Sequence, residues 1–396
     1  MKARYQYRIY PTIGQQTNLA RLFGCCRVVW NDALALCRQS DKLPKNSDLQ
    51  KWCITQAKQT AEREWLKEVS NIPLQQSIAD LGVAFKNFFQ SLKGKRPGPK
   101  VRSPRFKKRN SRQTARFRRG GFSLKGNKVY LAKVGKVKVH WSRPLPADPS
   151  SVTLIKGSCG RYFLSFVVEV AQKVVPFIRD AVGVDLNIRE HVVSTGERFQ
   201  LPKFASLERR IRRLQRRWSR QAKGSNRRDV TRLKIAKLKA RKKNILKDAL
   251  HKFSTRLIRE NQTVCLEDLN VKGMVKNRRL ARAISECGFG MLRSLVESKA
   301  AQYEGRDARI INRWEPTSQV CSECGYRWGK LDLSVRSIQC LNCGTKHDRD
   351  ANAARNIEQS GVEQSQDSNW AVNGHKTRVS GTPIALPSRE RRDCPA

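Results

Sequence analysis

Four cysteines and three acids carry the chemistry that can be read from this chain of 396 residues. Cys321-x-x-Cys324 and Cys340-x-x-Cys343 are separated by 15 residues. Each pair can place two thiolates on one tight turn, and two such turns complete a tetrahedron around Zn²⁺ at about 2.3 Å per Zn–S bond. Gly325 and Gly344 directly follow the second cysteine of each pair, which suits a sharp turn. Four protein ligands close the coordination sphere, so the expected zinc is structural. The competing reading is four free thiols or a disulfide pair. His347 becomes a ligand only if one cysteine is not; otherwise it lies beside the site or on the surface.

The acids are Asp185, Glu267 and Asp350. Asp185 ends the apolar run AVGVD, Glu267 ends TVCLE, and Asp350 opens a helix-like stretch after the second cysteine pair. Strand ends of an α/β sheet gather ligands, so acids far apart in sequence can converge there. Clustered carboxylates repel one another and take up protons. Mg²⁺, which prefers oxygen ligands and keeps waters, is the expected remedy. Two such ions about 3.5–4 Å apart activate water and stabilise the leaving oxygen of a phosphodiester. Taken singly, each acid also has an ordinary reading. Asp185 fits a turn, Glu267 a surface position beside Asp268, and Asp348 or Asp350 a helix N-cap.

The elements that must position these residues follow from periodicity. Residues 3–10 alternate, with Tyr5, Tyr7 and Ile9 on one face, and read as a strand stopped at Pro11. Leu19, Leu22, Phe23, Cys26, Val29, Trp30 and Leu34 keep helical spacing. Residues 48–66 read as a polar helix, and Leu74, Ile78, Leu81, Phe85, Phe88, Phe89 and Leu92 as a stronger one. Residues 93–120 are a Pro- and Gly-punctuated basic run, read as a phosphate-binding strap whose interleaved Phe106 and Phe117 could stack on bases. Residues 121–172 turn to short strands, with a Gly-Asn hairpin turn. These strands could pair with residues 5–10 into a small barrel containing a helical insertion.

Beyond residue 180, strand and helix patterns mix as in an α/β core. Residues 203–260 read as two long helices, one striped by Leu207, Ile211, Leu214 and Trp218, the other by Leu246, Leu250, Phe253 and Leu257. This segment holds 22 Lys or Arg against four acids. An ordinary exposed helix mixes signs, so a one-signed face points to a nucleic-acid channel. Residues 361–396 show little periodicity and read as a flexible tail.

The whole chain repeats that charge bias. Lys and Arg number 81 against 33 Asp and Glu, a formal charge of +48. Such a chain calls for a polyanion, and nucleic acid held through its phosphates is the obvious one. A basic membrane-surface protein or an RNA binder without chemistry would fit the charge equally well. No run of about 18 apolar residues occurs, so no spanning helix is expected. The N-terminus lacks a signal-peptide core, and a cytoplasmic protein without a membrane partner is the default. In a reducing compartment, Cys25, Cys26, Cys37, Cys53, Cys159, Cys265, Cys287 and Cys394 read mostly as small core hydrophobes.

Several stretches together resemble the TnpB family, encoded by bacterial insertion sequences and related to type V CRISPR effectors. They are GVDLNI, CLEDLNVKGM, TSQVCSECG and CLNCGTKHDRDANAARNI, with YRIYPTIGQQTNLARLFGCCRVVWNDAL, IPLQQSIADLGVAFKNFF and SPRFKKR nearer the start. The match runs over about residues 3–358. It implies an RNase H-like (RuvC) nuclease domain of residues 176–314 and 346–360, interrupted by a zinc ribbon at 315–345. Before it would come a wedge β-barrel (1–10 plus 119–175) containing a helical recognition domain (11–118). By position, the resemblance makes Asp185, Glu267 and Asp350 the catalytic Mg²⁺-binding carboxylates, with Asp348 the rival within its motif. It further implies a guide RNA from the transposon end, a double-stranded DNA target, and metal-dependent cleavage of that target. The family usually has Gly where this chain has Asn187. Asn tolerates positive φ better than most residues. The rival functions are a miniature CRISPR effector, a non-cutting RNA-guided repressor, and a transposase that joins strands.

Overall fold

The structure, a computed structural model, describes residues 1–96, 98–109, 112–332 and 334–373, with side chains described as far as Glu363. The chain forms two compact units, one of residues 1–172 and 203–245, the other of residues 173–202 and 246 onward.

The first unit begins with β1 (Lys2–Tyr10), whose alternation buries Tyr7 and Ile9. Helix α1 (Ile13–Gln39) starts at a capping box, with Gln15 N donating to Thr12 Oγ1 and Thr12 N to Gln15 Oε1. All seven of its expected apolar positions are buried. The polar stretch that follows is not one helix. It breaks into α2 (Asn46–Gln50), a wide turn over Lys51–Gln56 and two tight turns. Its buried Leu49, Cys53 and Ile54 are followed by no further buried apolar residue until Leu66, too irregular for a continuous stripe. Helix α3 (Asn71–Leu92) buries Leu74, Ile78, Leu81 and Phe85 but leaves Phe89 and Leu92 exposed.

The sheet of this unit adds β2 (Gln113–Arg118), β3 (Phe122–Lys125), β4 (Lys128–Leu131), β5 (Gly135–His140), β6 (Ser151–Lys156) and β7 (Tyr162–Glu169). The seven strands lie in the order β2-β6-β7-β1-β5-β4-β3, with every neighbouring pair antiparallel. The expected Gly126-Asn127 turn joins β3 to β4.

The basic strap is corrected in one respect. Phe117 lies in β2 with no exposed surface, so it belongs to the core and cannot stack on bases. Phe106 is exposed, with the Arg38 guanidinium over its ring. The strap's backbone is tied to α1: Trp30 Nε1 donates to Arg105 O, Lys107 N to Asn31 Oδ1, and Arg38 to Pro104 O. Also in this unit, α4 (Ala205–Arg220) packs Ile211, Leu207, Leu214 and Trp218 against Ile235 and Leu238 of α5 (Asn226–Glu260).

The second unit has a five-stranded sheet of β8 (Arg179–Leu186), β9 (Glu190–Val193), β10 (Arg198–Gln200), β11 (Asn261–Glu267) and β12 (Asp307–Ile311). Its order is β10-β9-β8-β11-β12, with β8, β11 and β12 parallel and the other two antiparallel. Buried side chains of α5, Leu246, Leu250, Phe253 and Leu257, contribute to its interior. Short helices α6 (Val271–Met274) and α7 (Ala281–Cys287) lead to α8 (Phe289–Ala300). After β12 come a small hairpin, β13 (Ser337–Gln339) with β14 (Lys346–Asp348), and helix α9 (Arg349–Asn373). The expected tail therefore starts too early, since helix continues to Asn373; residues 374–396, with Cys394, lie outside the described residues. The seven other cysteines read as core residues are buried free thiols. Among the described residues, no helix is long and apolar enough to cross a membrane.

His191 in β9 is fully buried between Phe199, Phe253 and Phe289. Burial pushes its pKa down from 6.5 to about 4. Between those values the unfolded chain binds a proton that the folded chain refuses. Stability is therefore complete above about pH 6.5 and falls as the pH drops toward 4, by about 3 kcal/mol in all. His191→Leu is expected to flatten that acid limb in urea unfolding at pH 7.5 and pH 4.5. An unchanged difference between the two would show that another group sets the acid sensitivity.

Candidate functional site

The parallel register of β8 and β11 pairs Val184 with Leu266. Asp185 and Glu267, each one residue further on, therefore stand side by side at the C-terminal ends of adjacent strands. Asp350 comes from the first turn of α9, which packs across the same sheet. Gly183 makes that packing possible. A Cβ there would lie 2.0 Å from Ala354 O and 2.6 Å from Glu358 N, so only a glycine lets α9 lie this close to β8. Gly361 plays the same part against Cys265, where a Cβ would meet Sγ at 2.3 Å.

The electrostatics express the convergence. The Asp185 carboxyl titrates well above the usual carboxylate range, because burial penalises its charge and Glu267 and Asp350 repel it. Asn187 Nδ2 donates to Asp185 Oδ2 at 2.7 Å and partly offsets this. Glu267 is also raised by burial, against a hydrogen bond from Thr317 Oγ1 at 3.1 Å. All three acids keep partial exposure, so water and ions reach them. Their carboxylate oxygens do not all lie within 4.8 Å of one another, a spacing that among the described residues only the cysteine group meets. A pair of ions about 3.5–4 Å apart spreads its ligands more widely than a single ion does.

The other acid of the motif, Asp348, faces different partners. Its Oδ1 accepts from Ala351 N at 3.0 Å as a helix cap, and Arg198 pairs with the same oxygen at 2.9 Å. Arg336, which the sequence did not single out, extends its guanidinium to 3.4 Å from Asp350 Oδ2 while remaining largely exposed. A lone arginine among 81 basic residues offers no sequence signal; only the fold of the hairpin shows what it faces.

The four cysteines meet within 4.8 Å. The pairs Cys321–Cys343 and Cys324–Cys340 stand 3.7 and 3.6 Å apart. Tetrahedral Zn–S bonds of about 2.3 Å require S···S separations of about 3.8 Å, whereas a disulfide needs about 2.05 Å. Gly325 and Gly344 sit at φ +73° and +70°, the left-handed turn that follows each pair. His347 is buried with Nε2 3.1 Å from Cys321 Sγ, beside a thiol rather than in place of one. The group can hold one tetrahedral ion.

Known proteins resemble this chain in sequence and in fold. Residues 165–278 match the family described as "Probable transposase", residues 289–357 the "Cas12f1-like, TNB domain" family, and residues 1–42 a "Helix-turn-helix domain" family. In this chain residues 1–42 form a strand and one long helix. A Streptomyces pristinaespiralis protein bearing the provisional name RNA-guided DNA endonuclease is 42% identical, over 91% of this chain and 90% of its own. InsQ of Escherichia coli K12, provisionally named in the same way, is 29% identical over 89% and 90%. A solved Cas12f1–sgRNA–target DNA complex shares the fold of its protein chain at a TM-score of 0.51 and 16% identity, over 87% of this chain and 82% of that one. The chain belongs to the TnpB family.

Proposed function

We propose that this protein is an RNA-guided endonuclease that hydrolyses phosphodiester bonds of target DNA with the help of divalent metal ions. The observation that carries the reading is the convergence of Asp185, Glu267 and Asp350 at the C-terminal end of the parallel strands of a mixed sheet. The charge of +48 and the relatives' names support a guide RNA and a DNA target as partners; in this reading the guide comes from the transposon end and the target is double-stranded. In this reading residues 176–314 and 346–360 form the RuvC-like nuclease domain, and the strand order β10-β9-β8-β11-β12 supports an RNase H-like fold. Residues 315–345 are the zinc ribbon. Residues 1–10 with 119–175 form the wedge, and residues 11–118 the recognition domain.

The donor set fits Mg²⁺. The acids offer hard oxygens, keep partial exposure to water, and leave Asp185 raised by burial and then by repulsion from Glu267 and Asp350. Asp185, Glu267 and Asp350 would hold it, and Mg²⁺ there would supply Lewis-acid activation of water and of the scissile phosphate. Asn187 and Thr317 orient the first two carboxylates. Arg336 is placed to meet a phosphate brought to Asp350. The one-signed face of α4 and α5 would hold nucleic-acid backbones.

The cysteine group fits structural Zn²⁺ in chemistry and spacing. Metal analysis of purified protein is expected to return one zinc per chain, and Cys340→Ser to lower it below half. Since zinc binding contributes folding free energy on the order of 10 kcal/mol in small closed sites, the variant should also lose protease resistance over residues 315–348. Full zinc content in Cys340→Ser would refute the ligand assignment.

The function is tested by sequencing RNA that co-purifies with the protein, then challenging the ribonucleoprotein with a plasmid carrying guide-matched sequence. A discrete RNA mapping beside the gene, and cleavage that needs both guide match and Mg²⁺, is the expected result. Heterogeneous cellular RNA and no matched cleavage would leave a non-specific binder.

A further inference from the structure

The cysteine module and the acidic pocket are connected by a polar seam. Asn352, Asn356 and Gln359 lie at i, i+4 and i+7 on α9, one stripe of the helix. Ala353, Ala354 and Ile357 are buried at other positions of the same helix. The stripe meets the backbone that enters the first cysteine turn. Ser322 N donates to Asn352 Oδ1 at 2.9 Å, and Asn352 Nδ2 donates to Val320 O at 2.7 Å. Asn356 Nδ2 reaches both Thr317 O and Val320 O, at 2.7 and 2.8 Å, and Gln359 Nε2 reaches Ser322 O at 3.0 Å. Asn352 and Asn356 are almost fully buried. Each bond is therefore costly to lose, because the partner left behind stays dry.

The segment held this way, residues 317–322, carries Cys321 near its end and begins at Thr317, which touches an acid. Thr317 is buried and its hydroxyl donates to Glu267. Ser322 follows the ligand Cys321 directly. At the other side of the seam, Asn352 is two residues from Asp350. Two short paths thus leave the cysteine turn. One runs through Thr317 to Glu267, the other through Asn352 to Asp350.

We infer that the cysteine module acts as a clamp on the acidic pocket, with Thr317 and Asn352 as positioning residues that set how tightly Glu267 and Asp350 hold a divalent ion. The clamp rests on the metal-dependent reading of the acids. It goes beyond that reading by coupling two metal sites, so that losing the ion at one weakens the other by the same factor in both directions.

The test uses the full-length protein and Mn²⁺ as a probe, titrated by calorimetry and by electron paramagnetic resonance without nucleic acid. Thr317→Val keeps the shape and removes only the donor. It is expected to keep zinc content and melting temperature, weaken Mn²⁺ binding about 10-fold, within the range for removal of a partner that orients a metal ligand, and raise the Mg²⁺ needed for half-maximal cleavage in step. Thr317→Ser restores both. Asn352→Leu should weaken Mn²⁺ binding and also speed zinc release to a chromogenic chelator. If the parent binds Mn²⁺, Asp185→Ala abolishes binding, and both Thr317→Val and Asn352→Leu bind as the parent does, the clamp is wrong while the metal site stands. If the parent does not bind Mn²⁺, or Asp185→Ala binds it equally well, the acidic site itself is wrong. A Thr317→Val protein that loses zinc and unfolds early would also overturn the proposal, since the hydroxyl would then be holding the fold.

Discussion

Asp185→Ala is expected to leave an RNA-loaded protein that binds its DNA target and does not cut it. Asp185 is the acid most strongly perturbed by the other two, and it stands on β8, a central strand of the sheet. Losing its carboxylate removes a ligand for the proposed metal without touching the basic surfaces that would hold nucleic acid. The loss in single-turnover cleavage should be at least about 1,000-fold, equivalent to about 4 kcal/mol of transition-state stabilisation. Folding should survive and even improve slightly, because the substitution relieves repulsion with Glu267 and Asp350. The measurement is cleavage of a guide-matched plasmid beside a gel-shift of the same duplex. Equal cutting by parent and variant would remove the active-site assignment. Loss of both binding and cutting would mean that the residue serves the fold.

Gly183→Ala should damage the protein as much by a different physical route. Its Cβ would enter space held by two backbone atoms of α9, at 2.0 and 2.6 Å. Backbone cannot rotate aside as the end of a side chain can, so the helix must lift from the sheet and carry Asp350 with it. A destabilisation above about 4 kcal/mol is expected, the range reserved for steric or cavity disasters in a core. Gly24→Ala is the matched control. It sits inside α1 with nothing within 4 Å of its would-be Cβ, and gains about 1 kcal/mol of helix propensity. Urea unfolding of the two variants should move in opposite directions, and a harmless Gly183→Ala would show that α9 does not bear on β8 as described.

Part of this was legible without coordinates, and the reason is distance along the chain. Two cysteines on one tight turn, alternation in residues 3–10, and the apolar stripes of α1, α4 and α5 are local patterns. A turn of helix or a pleat of strand fixes them before any long-range contact forms. The cysteine group and the Gly126-Asn127 turn are of this kind. The polar stretch after α1 and the tail boundary misled because their composition is compatible with more than one local form, and packing chose between them.

What only the tertiary structure decided depends on register between distant segments. Asp185 and Glu267 become neighbours because Val184 pairs with Leu266, a choice that no spacing records. Asp348 and Asp350 look alike in sequence; Arg198 of β10 pairs with the first, while the second meets Arg336 and repels Asp185. Phe117 reads as part of a basic strap until β6 pairs with its strand and closes it into the core. The sequence by itself thus determined the kinds of chemistry present and the local turns that present them. Which acids share a field, and which arginine faces them, was settled by pairing and packing across the fold, because electrostatic interaction depends on separation in space and not on separation along the chain.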